Sequence, residues 1–195
     1  MRMTLLLLMV LPLQSCFLFD NKERQAREAI LEVRQSQAGN ALTGGEYAEA
    51  AALFKEILSV NPDNVPAWIG MGDAYSEMGE WTRAEPAFSE ACERAPASYD
   101  AQFGHGLALQ MLNKLIAAVA AYHRAMSIDP MSSEASLGIA TSYLQLDEPQ
   151  HALPFAERAV ELAPEDGRAW ISLGAASEQT GNDTAALDAY LAASE

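Results

Sequence analysis

Two pairs of glycines are the feature of this sequence most suggestive of ligand chemistry. Gly70 and Gly72 are separated by one residue, and so are Gly104 and Gly106. Glycines at this spacing can cradle a phosphate, but a dinucleotide-binding loop also needs a preceding strand and a third glycine three residues further on. Tyr75 stands where that third glycine would be. We therefore predict that the chain binds no nucleotide and needs no cofactor.

The histidines and cysteines lack the spacing of a metal or catalytic site. His105, His123 and His151 include no pair four residues apart, and the sequence contains no P-loop and no Gly-x-Ser-x-Gly motif. His105 stands at an apolar position of a helical pattern, which favours a core histidine over a ligand or a pH sensor. Cys92 follows Ala91 in a helical stretch and is interpreted as a small buried residue. We expect no enzymatic activity.

The composition is that of an acidic, helical chain. Half of the 195 residues are hydrophobic, only 8% are aromatic, and the formal net charge is −15 at pH 7. Alanine is abundant and strand-forming residues are sparse, which favours helices. Because such a surface repels phosphates, we expect neither nucleic acids nor anionic lipid headgroups as direct ligands.

The first residues differ in composition from the rest of the chain. Arg2 precedes an apolar run from Leu5 to Leu13, which is shorter than the roughly 20 residues of a membrane span. A basic residue before a short apolar run predicts a signal peptide over residues 1–15. The letters LQSC, which end at Cys16, resemble the lipobox of bacterial lipoproteins.

The lipobox resemblance implies that Cys16 is lipidated and becomes the first residue of the mature protein. Residues 17–21 would then form a tether, and Phe17 is similar to the residue after the cysteine in lipoproteins sent to the outer membrane. Two alternatives stay open: a coincidental cysteine after an ordinary signal peptide, and an uncleaved anchor that continues through Phe19. The expected location is the bacterial cell envelope, lipid-anchored at a membrane, on the periplasmic face of the outer membrane in a Gram-negative host.

A repeat of 34 residues dominates the remaining chain. Prolines recur at this interval without insertions, at Pro62, Pro96, Pro130 and Pro164. Alanines recur in the same way at Ala50, Ala84, Ala118, Ala152 and Ala186. Such a fixed period is the signature of stacked structural repeats. The clearest block is residues 65–98, which contains Trp68, Met71, Gly72, Tyr75, Gly79, Trp81, Ala84, Phe88, Ala91 and Pro96.

This pattern resembles the tetratricopeptide repeat, in which helix A carries W-x2-L-G-x2-Y and helix B carries A-x3-F-x2-A before a closing proline. The resemblance implies an all-α fold, a right-handed superhelical solenoid of antiparallel helix pairs with about four and a half repeats. The predicted units are an atypical first repeat and four that follow the pattern, the last one truncated: 22–64, 65–98, 99–132, 133–166 and 167–195.

The repeat also explains the glycines, which recur at its sixth and eighth positions and are predicted to be packing contacts inside helices. Pro86 and Pro154 both fall inside a predicted helix B. Because proline removes a hydrogen bond, we predict that these two helices are shortened or kinked. Thr82 and Glu85 could form a capping box that starts the first of them late.

The resemblance implies a concave groove lined by helix A of successive repeats. The centre of the predicted groove is apolar and its flanks are acidic or amide, which suits an amphipathic helix or an extended peptide. An alternative is that part of this stripe packs against the neighbouring helix A. The predicted groove residues are Ile69, Asp73, Ser76, Glu77, Phe103, Leu107, Gln110, Met111, Leu137, Thr141, Leu144, Gln145, Ile171 and Glu178.

Chaperone adaptors of this family hold a carboxylate with a clamp of Lys, Asn and Arg, and this chain lacks it. The fifth repeat position, which belongs to that clamp, is apolar in all four repeats: Ile69, Phe103, Leu137 and Ile171. A chaperone adaptor of that kind is therefore not expected.

The last helix is expected to expose an apolar edge with Leu187, Tyr190 and Leu191, because no capping helix follows it. We expect this edge to dock on a partner protein or on a second copy of the chain, which would form a homodimer. The alternative is that the sequence is incomplete. The function predicted is a membrane-tethered protein-binding scaffold, similar to pilotin-like lipoproteins of type IV or Tad pili. The alternative is an accessory subunit that recruits an envelope enzyme such as a peptidoglycan hydrolase or a protease.

Overall fold

The computed structural model describes the backbone of residues 7–194 and the side chains of residues 25–194. All regular structure in residues 7–194 is α-helical, as the sequence predicts. The ten helices are α1 (Leu7–Thr43), α2 (Tyr47–Val60), α3 (Val65–Glu77), α4 (Trp81–Arg94), α5 (Tyr99–Met111), α6 (Leu115–Ile128), α7 (Ser133–Gln145), α8 (Pro149–Leu162), α9 (Gly167–Gln179) and α10 (Asp183–Ala192).

The helices form a solenoid in which each packs on its neighbours in the chain. The odd-numbered helices, which are the A helices of the repeats, also contact one another from α1 to α9. The even-numbered B helices make no such contact with one another in the described part of the chain. An array held together along one side curves toward that side, so the A helices form its concave face.

Side chains cap the A helices but not most of the B helices. Asn64 Oδ1 accepts a hydrogen bond from the Ala67 amide at 3.0 Å, and Ser132 Oγ accepts one from the Ala135 amide at 3.0 Å. Such caps satisfy amides that the first turn of a helix leaves unpaired. Helices α2, α4, α6 and α8 begin without a side-chain cap.

The closing proline of one repeat is bonded to the next A helix. The Trp68 Nε1 donates to the Pro62 carbonyl at 2.8 Å, and the Trp170 Nε1 donates to the Pro164 carbonyl at 2.8 Å. These tryptophans therefore fix the angle between successive repeats as well as filling space.

Aromatic rings of the B helices lie between glycines of two A helices. Phe88 is 2% exposed. A Cβ added to Gly72 would lie 2.8 Å from its ring, and one added to Gly104 in the next repeat would lie 2.4 Å from it. The ring of Tyr122 meets Gly106 and Gly138 in the same way. The prediction that the glycines are packing contacts is confirmed.

In the fourth repeat the B helix carries a small residue where the other repeats carry the ring, and the facing A helices carry residues larger than glycine. Ala156 stands where the other repeats carry the ring, and it is completely buried. The two positions that are glycine around Phe88 are here Ala140 and Ser172, which are also buried. A small residue on the B helix therefore accompanies larger ones on the A helices, which keeps the packing dense.

Of the two effects predicted for proline, the shortening of the two B helices is wrong, and the kink stays a prediction. Helix α4 contains Pro86 and α8 contains Pro154, yet both have 14 residues, as many as α2 and α6. The late capping box is also wrong, because α4 begins at Trp81 and the Glu80 carbonyl accepts the first amides of the helix. One missing hydrogen bond does not outweigh the packing of the whole helix.

Helix α1 is continuous through residues 17–21, the segment predicted as a tether, and its end at Thr43 agrees with the first helix expected from the repeat. The Cys16 side chain and residues 1–6 lie outside the described part, so the signal peptide and lipidation stay predictions. Within the residues described, no helix combines the length and hydropathy needed to cross a membrane.

The edge of α10 is exposed as expected. Leu187 is 60% exposed and Leu191 is 55% exposed, whereas Val119, at the position equivalent to Leu187, is 8% exposed under the following repeat. Docking of a partner or of a second copy on this edge stays a prediction.

Candidate functional site

A pocket of about 420 Å³ opens on the concave face between α5, α7 and α9. Its walls are mostly apolar and come from successive A helices, whose groove-facing positions repeat every 34 residues. Seven of the predicted groove residues line it: Phe103, Leu107, Gln110, Leu137, Thr141, Leu144 and Ile171. Their role in binding stays a prediction.

The other seven predicted residues lie outside this pocket. Ile69 packs against the hydrophobic core at the start of the solenoid, in agreement with the alternative that part of the stripe is packing. Met111 is 53% exposed beyond the mouth, and Glu178 accepts a hydrogen bond from the Tyr190 hydroxyl at 2.8 Å. The remainder lie on α3 or at the end of α7: Asp73, Ser76, Glu77 and Gln145.

A chain of hydrogen bonds holds the pocket floor. The buried Tyr122 hydroxyl of α6 donates to Gln110 Oε1 at 2.9 Å, and Gln110 Nε2 donates to Thr141 Oγ1 at 3.0 Å. The Thr141 hydroxyl then donates to the Leu137 carbonyl at 2.9 Å. Burial raises the pKa of Tyr122, so its hydroxyl remains a donor at neutral pH. The floor is thus shaped before any ligand arrives.

Aromatic stacking fixes one wall. The ring of Phe103 stacks on Tyr99 with centroids 5.7 Å apart and tilts against Tyr122 at 5.6 Å. The Tyr99 hydroxyl lies 2.6 Å from the Ser132 Oγ, the same oxygen that caps α7. Phe103 is therefore held in place by contacts on both sides of its ring.

Sequence reasoning missed five residues of the pocket: Tyr122, Glu134, Gly138, Arg168 and Ser172. Glu134 and Arg168 stand at the second repeat position, which the family resemblance places on the groove. Gly138 and Ser172 stand at the sixth position, where small residues were interpreted only as packing contacts. Small residues at this position let the ring of a B helix approach closely, and Gly138 and Ser172 also border the pocket. Their recurrence is the signal that the sequence contains.

Ser172 has a feature that only coordinates reveal. Its side chain is 4% exposed, and its Oγ has no hydrogen-bond partner among the described residues. A buried hydroxyl without a partner destabilises the fold until a ligand or a water molecule satisfies it.

Negative charge is concentrated on the part of the concave face next to the pocket. Asp73 of α3 is half-buried, and its pKa is raised to about 6 by burial and by the nearby carboxylates of Asp100 and Glu77. The cation of the pocket, Arg168, is already paired, since its Nη2 lies 2.8 Å from Asp166 Oδ2. That pair lowers the pKa of Asp166.

The histidines and Cys92 lie apart from this pocket. His105 is half-buried between α5 and α4, with its Nε2 3.8 Å from Glu85 Oε1, and burial lowers its pKa. His123 packs edge-on against Phe155. Burial raises the pKa of the Cys92 thiol to about 11, which makes it a poor nucleophile. No cluster able to hold a metal ion is found among the described residues.

Two family models, both described as tetratricopeptide repeat, match this chain. One matches residues 41–108 and the other matches residues 137–195, and together they cover more than half of the sequence. The chain belongs to the tetratricopeptide repeat family. The paired helices, the closing prolines and the aromatic rings between small residues are this family's packing as realised in the present chain.

Solved structures similar to this tetratricopeptide repeat protein include several of MamA. A crystal structure of the MamA protein has a TM-score of 0.78 at 23% identity and covers 84% of this chain and 89% of that one. MamA from residue 41 to its end, from Desulfovibrio magneticus RS-1, has a TM-score of 0.78 at 18% identity and covers 84% and 93%. Identities this low establish a shared fold. No curated protein sequence gives a significant match.

Proposed function

We propose that this tetratricopeptide repeat protein is a non-enzymatic scaffold that binds a segment of a partner protein in the groove of α5, α7 and α9. The observation that carries the proposal is the preformed apolar pocket on the concave face. A pocket of this size, with a rigid floor and a few polar groups, has the properties of a binding site. Tetratricopeptide repeats in general bind proteins rather than catalyse reactions, which agrees with this role.

Crosslinking in membranes followed by affinity capture tests the scaffold role. The variant Leu144→Asp/Ile171→Asp places two carboxylates in the pocket, and Ile171 is 55% exposed, so this position tolerates a polar side chain. We expect the partner captured by the wild type to be lost. The control Val60→Asp/Ile116→Asp adds the same charge at exposed apolar positions outside the groove and should retain it.

Helical circular dichroism and the melting temperature of each variant show whether it is folded. Retention of the partner by the folded pocket variant would contradict the proposal. The identity of the partner separates the two roles considered for the scaffold: a pilus or secretion subunit supports assembly of envelope machinery, and a hydrolase or protease supports recruitment of an enzyme.

We also propose that lipid on Cys16 anchors the scaffold at the bacterial envelope. The lipobox-like LQSC sequence supports this proposal. Mass spectrometry of the mature N-terminus should find a diacylated or triacylated cysteine, and Cys16→Ser should release the protein from the membrane fraction. A mature protein that begins elsewhere, with an unmodified Cys16, would contradict lipidation.

A further inference from the structure

We propose that the segment bound in the groove is cationic and apolar, with bulky apolar side chains next to lysine or arginine. This inference rests on the proposed function, because it describes the ligand of the same groove. The apolar part occupies the pocket of α5, α7 and α9, and the cationic part faces the carboxylates of α3 and α5.

The charges of the groove are the first argument. Asp73 of α3 lies near Asp100 of α5 and near Glu77 one turn further along α3, and no ion pair neutralises any of the three among the described residues. The only base that lines the described pocket, Arg168, is held by Asp166 through both of its carboxylate oxygens. The concave face thus presents an uncompensated negative field to a ligand.

Some acids elsewhere on the molecule have cationic neighbours, whereas others, such as Glu49, Glu93 and Glu157, have no ion pair among the described residues. Glu80 pairs with Arg83, and Glu56 lies 2.7 Å from Arg34. Asp73 differs from those exposed acids because it is half-buried and lies near two other carboxylates. A half-buried carboxylate without a counter-ion destabilises the free protein, and a bound Lys or Arg would relieve the repulsion of Asp73 by Asp100 and Glu77.

The pocket beside the acids is the second argument. Phe103, Leu107, Leu144 and Ile171 offer apolar walls in which a bulky side chain loses contact with water. Ser172 lines the same pocket, is 4% exposed, and has an Oγ without a partner among the described residues. Its Oγ has almost no exposed surface, so the bound segment would contact the apolar walls rather than this hydroxyl.

The helix arrangement sets the spacing between the two parts of the ligand. The acids lie on α3 and α5 and the pocket spans α5, α7 and α9, so their centres are about one and a half interhelix distances apart, roughly 12–15 Å. An extended peptide covers this distance in about four residues. Acidic segments, phosphates and free C-terminal carboxylates meet repulsion at the same place, because no unpaired base faces them in the described groove.

A random peptide library displayed on phage tests the chemistry of the ligand without assuming a sequence. The full-length chain is the bait, and peptides that still bind Leu144→Asp/Ile171→Asp are removed. We expect the remaining peptides to combine bulky apolar residues with Lys or Arg about three to five positions away. Pocket-dependent peptides without enrichment of basic residues would overturn this inference and leave the proposed function standing. A library that yields no pocket-dependent peptide would overturn both.

Affinity measurements on a selected peptide then assign the charge to named residues. In fluorescence anisotropy, Asp73→Asn/Glu77→Gln/Asp100→Asn should weaken binding at least about tenfold, and added salt should reduce that difference. These amides keep the shape of the acids and remove only their charge.

The matched control removes three exposed acids of the B helices, in the variant Glu49→Gln/Glu93→Gln/Glu157→Gln. It changes the net charge by the same amount, and we expect less than about a twofold effect. Equal weakening by the control would mean that binding responds to net charge alone, and unchanged affinity in the groove variant would mean that its acids do not contact the ligand. Either result would overturn the inference.

Discussion

Asp73 carries a charge that the fold disfavours and that the proposed ligand would use. Its raised pKa, about 6, means that between about pH 4 and pH 6 the native state binds more protons than the unfolded state. The contribution of Asp73 to the free energy of unfolding therefore falls as the pH rises through this interval and is then constant. Asp100 and Glu77 are the charged groups that contribute to this shift.

The variant Asp73→Asn should remove this pH dependence. We expect it to match the wild type near pH 4 and to be more stable by about 1–2 kcal/mol at pH 7.5, less than the full shift implies because the side chain is partly solvated. Urea denaturation at both pH values measures the difference. A variant less stable than the wild type at pH 7.5 would show that the Asp73 charge is not a cost to the fold.

The glycines around the aromatic rings allow a second test at single residues. Gly104→Ala should destabilise the protein by about 1–3 kcal/mol, because the new Cβ would lie 2.4 Å from the ring of Phe88, which has no room to move. Gly39 of α1 is the control, since a Cβ there has no neighbour within 4 Å. Gly39→Ala should stabilise by about 0.5–1 kcal/mol through helix propensity alone.

The midpoints of urea denaturation of the two alanine variants should move in opposite directions. If the midpoints of both variants moved to higher urea, helix propensity would outweigh packing at both positions. The close contact of the new Cβ with Phe88 would then be relieved without a loss of stability.

Sequence reasoning at this scale succeeded where residue size repeats with the period. The packing role of Gly72 and Gly104 follows from their recurrence. The unpartnered Oγ of Ser172 could not be predicted, because a hydroxyl's hydrogen bonds depend on atoms from several helices. The ion pair between Arg168 and Asp166 is easier to predict from the sequence, because the two residues are only two positions apart at the start of a helix.

At the scale of helices, the B helices show how much proline a packed element tolerates. Pro86 is exposed on α4, so its ring meets solvent rather than the core, and the helix keeps its 14 residues. The propensity argument predicts a cost, which the variant below tests, but it wrongly predicts where the helix begins. The register of the repeat, with α4 starting at Trp81, was the better guide.

Pro86→Ala should therefore stabilise the protein. The substitution restores the amide that can donate to the Thr82 carbonyl, and we expect a gain of about 1–2 kcal/mol after the loss of proline's effect on the unfolded chain. Pro149 is the control because it stands at the start of α8, where proline is favourable, and Pro149→Ala should bring no gain. Thermal unfolding of both variants measures the comparison, and equal gains would contradict this account.

At the scale of the whole molecule, the period together with the family resemblance predicts the solenoid and the face on which the groove lies. It does not predict that the pocket is centred on α5, α7 and α9. That position depends on where the groove side chains change from the carboxylate of Asp73 on α3 to the apolar Leu107 on α5. It also depends on the support that Tyr122 gives the floor from the convex side. Both are properties of individual repeats, and a family pattern, which describes only what the repeats share, does not contain them.

The packing of a B-helix aromatic ring between two small A-helix residues also determines which repeats can be deleted. Deleting residues 99–132 brings Phe88 against Gly138, which has room for a ring. Deleting residues 133–166 instead brings Tyr122 against Ser172, whose Cβ takes the place of a glycine. The two shortened chains both lose 34 residues. They differ in the residue that the B-helix ring meets where the two remaining repeats join.

We expect the chain without residues 99–132 to melt cooperatively and the chain without residues 133–166 to be the less stable of the two. Ser172→Gly should restore stability to the second deletion and lower it in the intact protein, where Ala156 is the neighbour. Failure of this rescue would show that the junctions are indifferent to side-chain volume. Its success would mean that gain and loss of repeats in this chain obey a matching rule, so that a duplicated unit persists only where its ring meets a compatible neighbour.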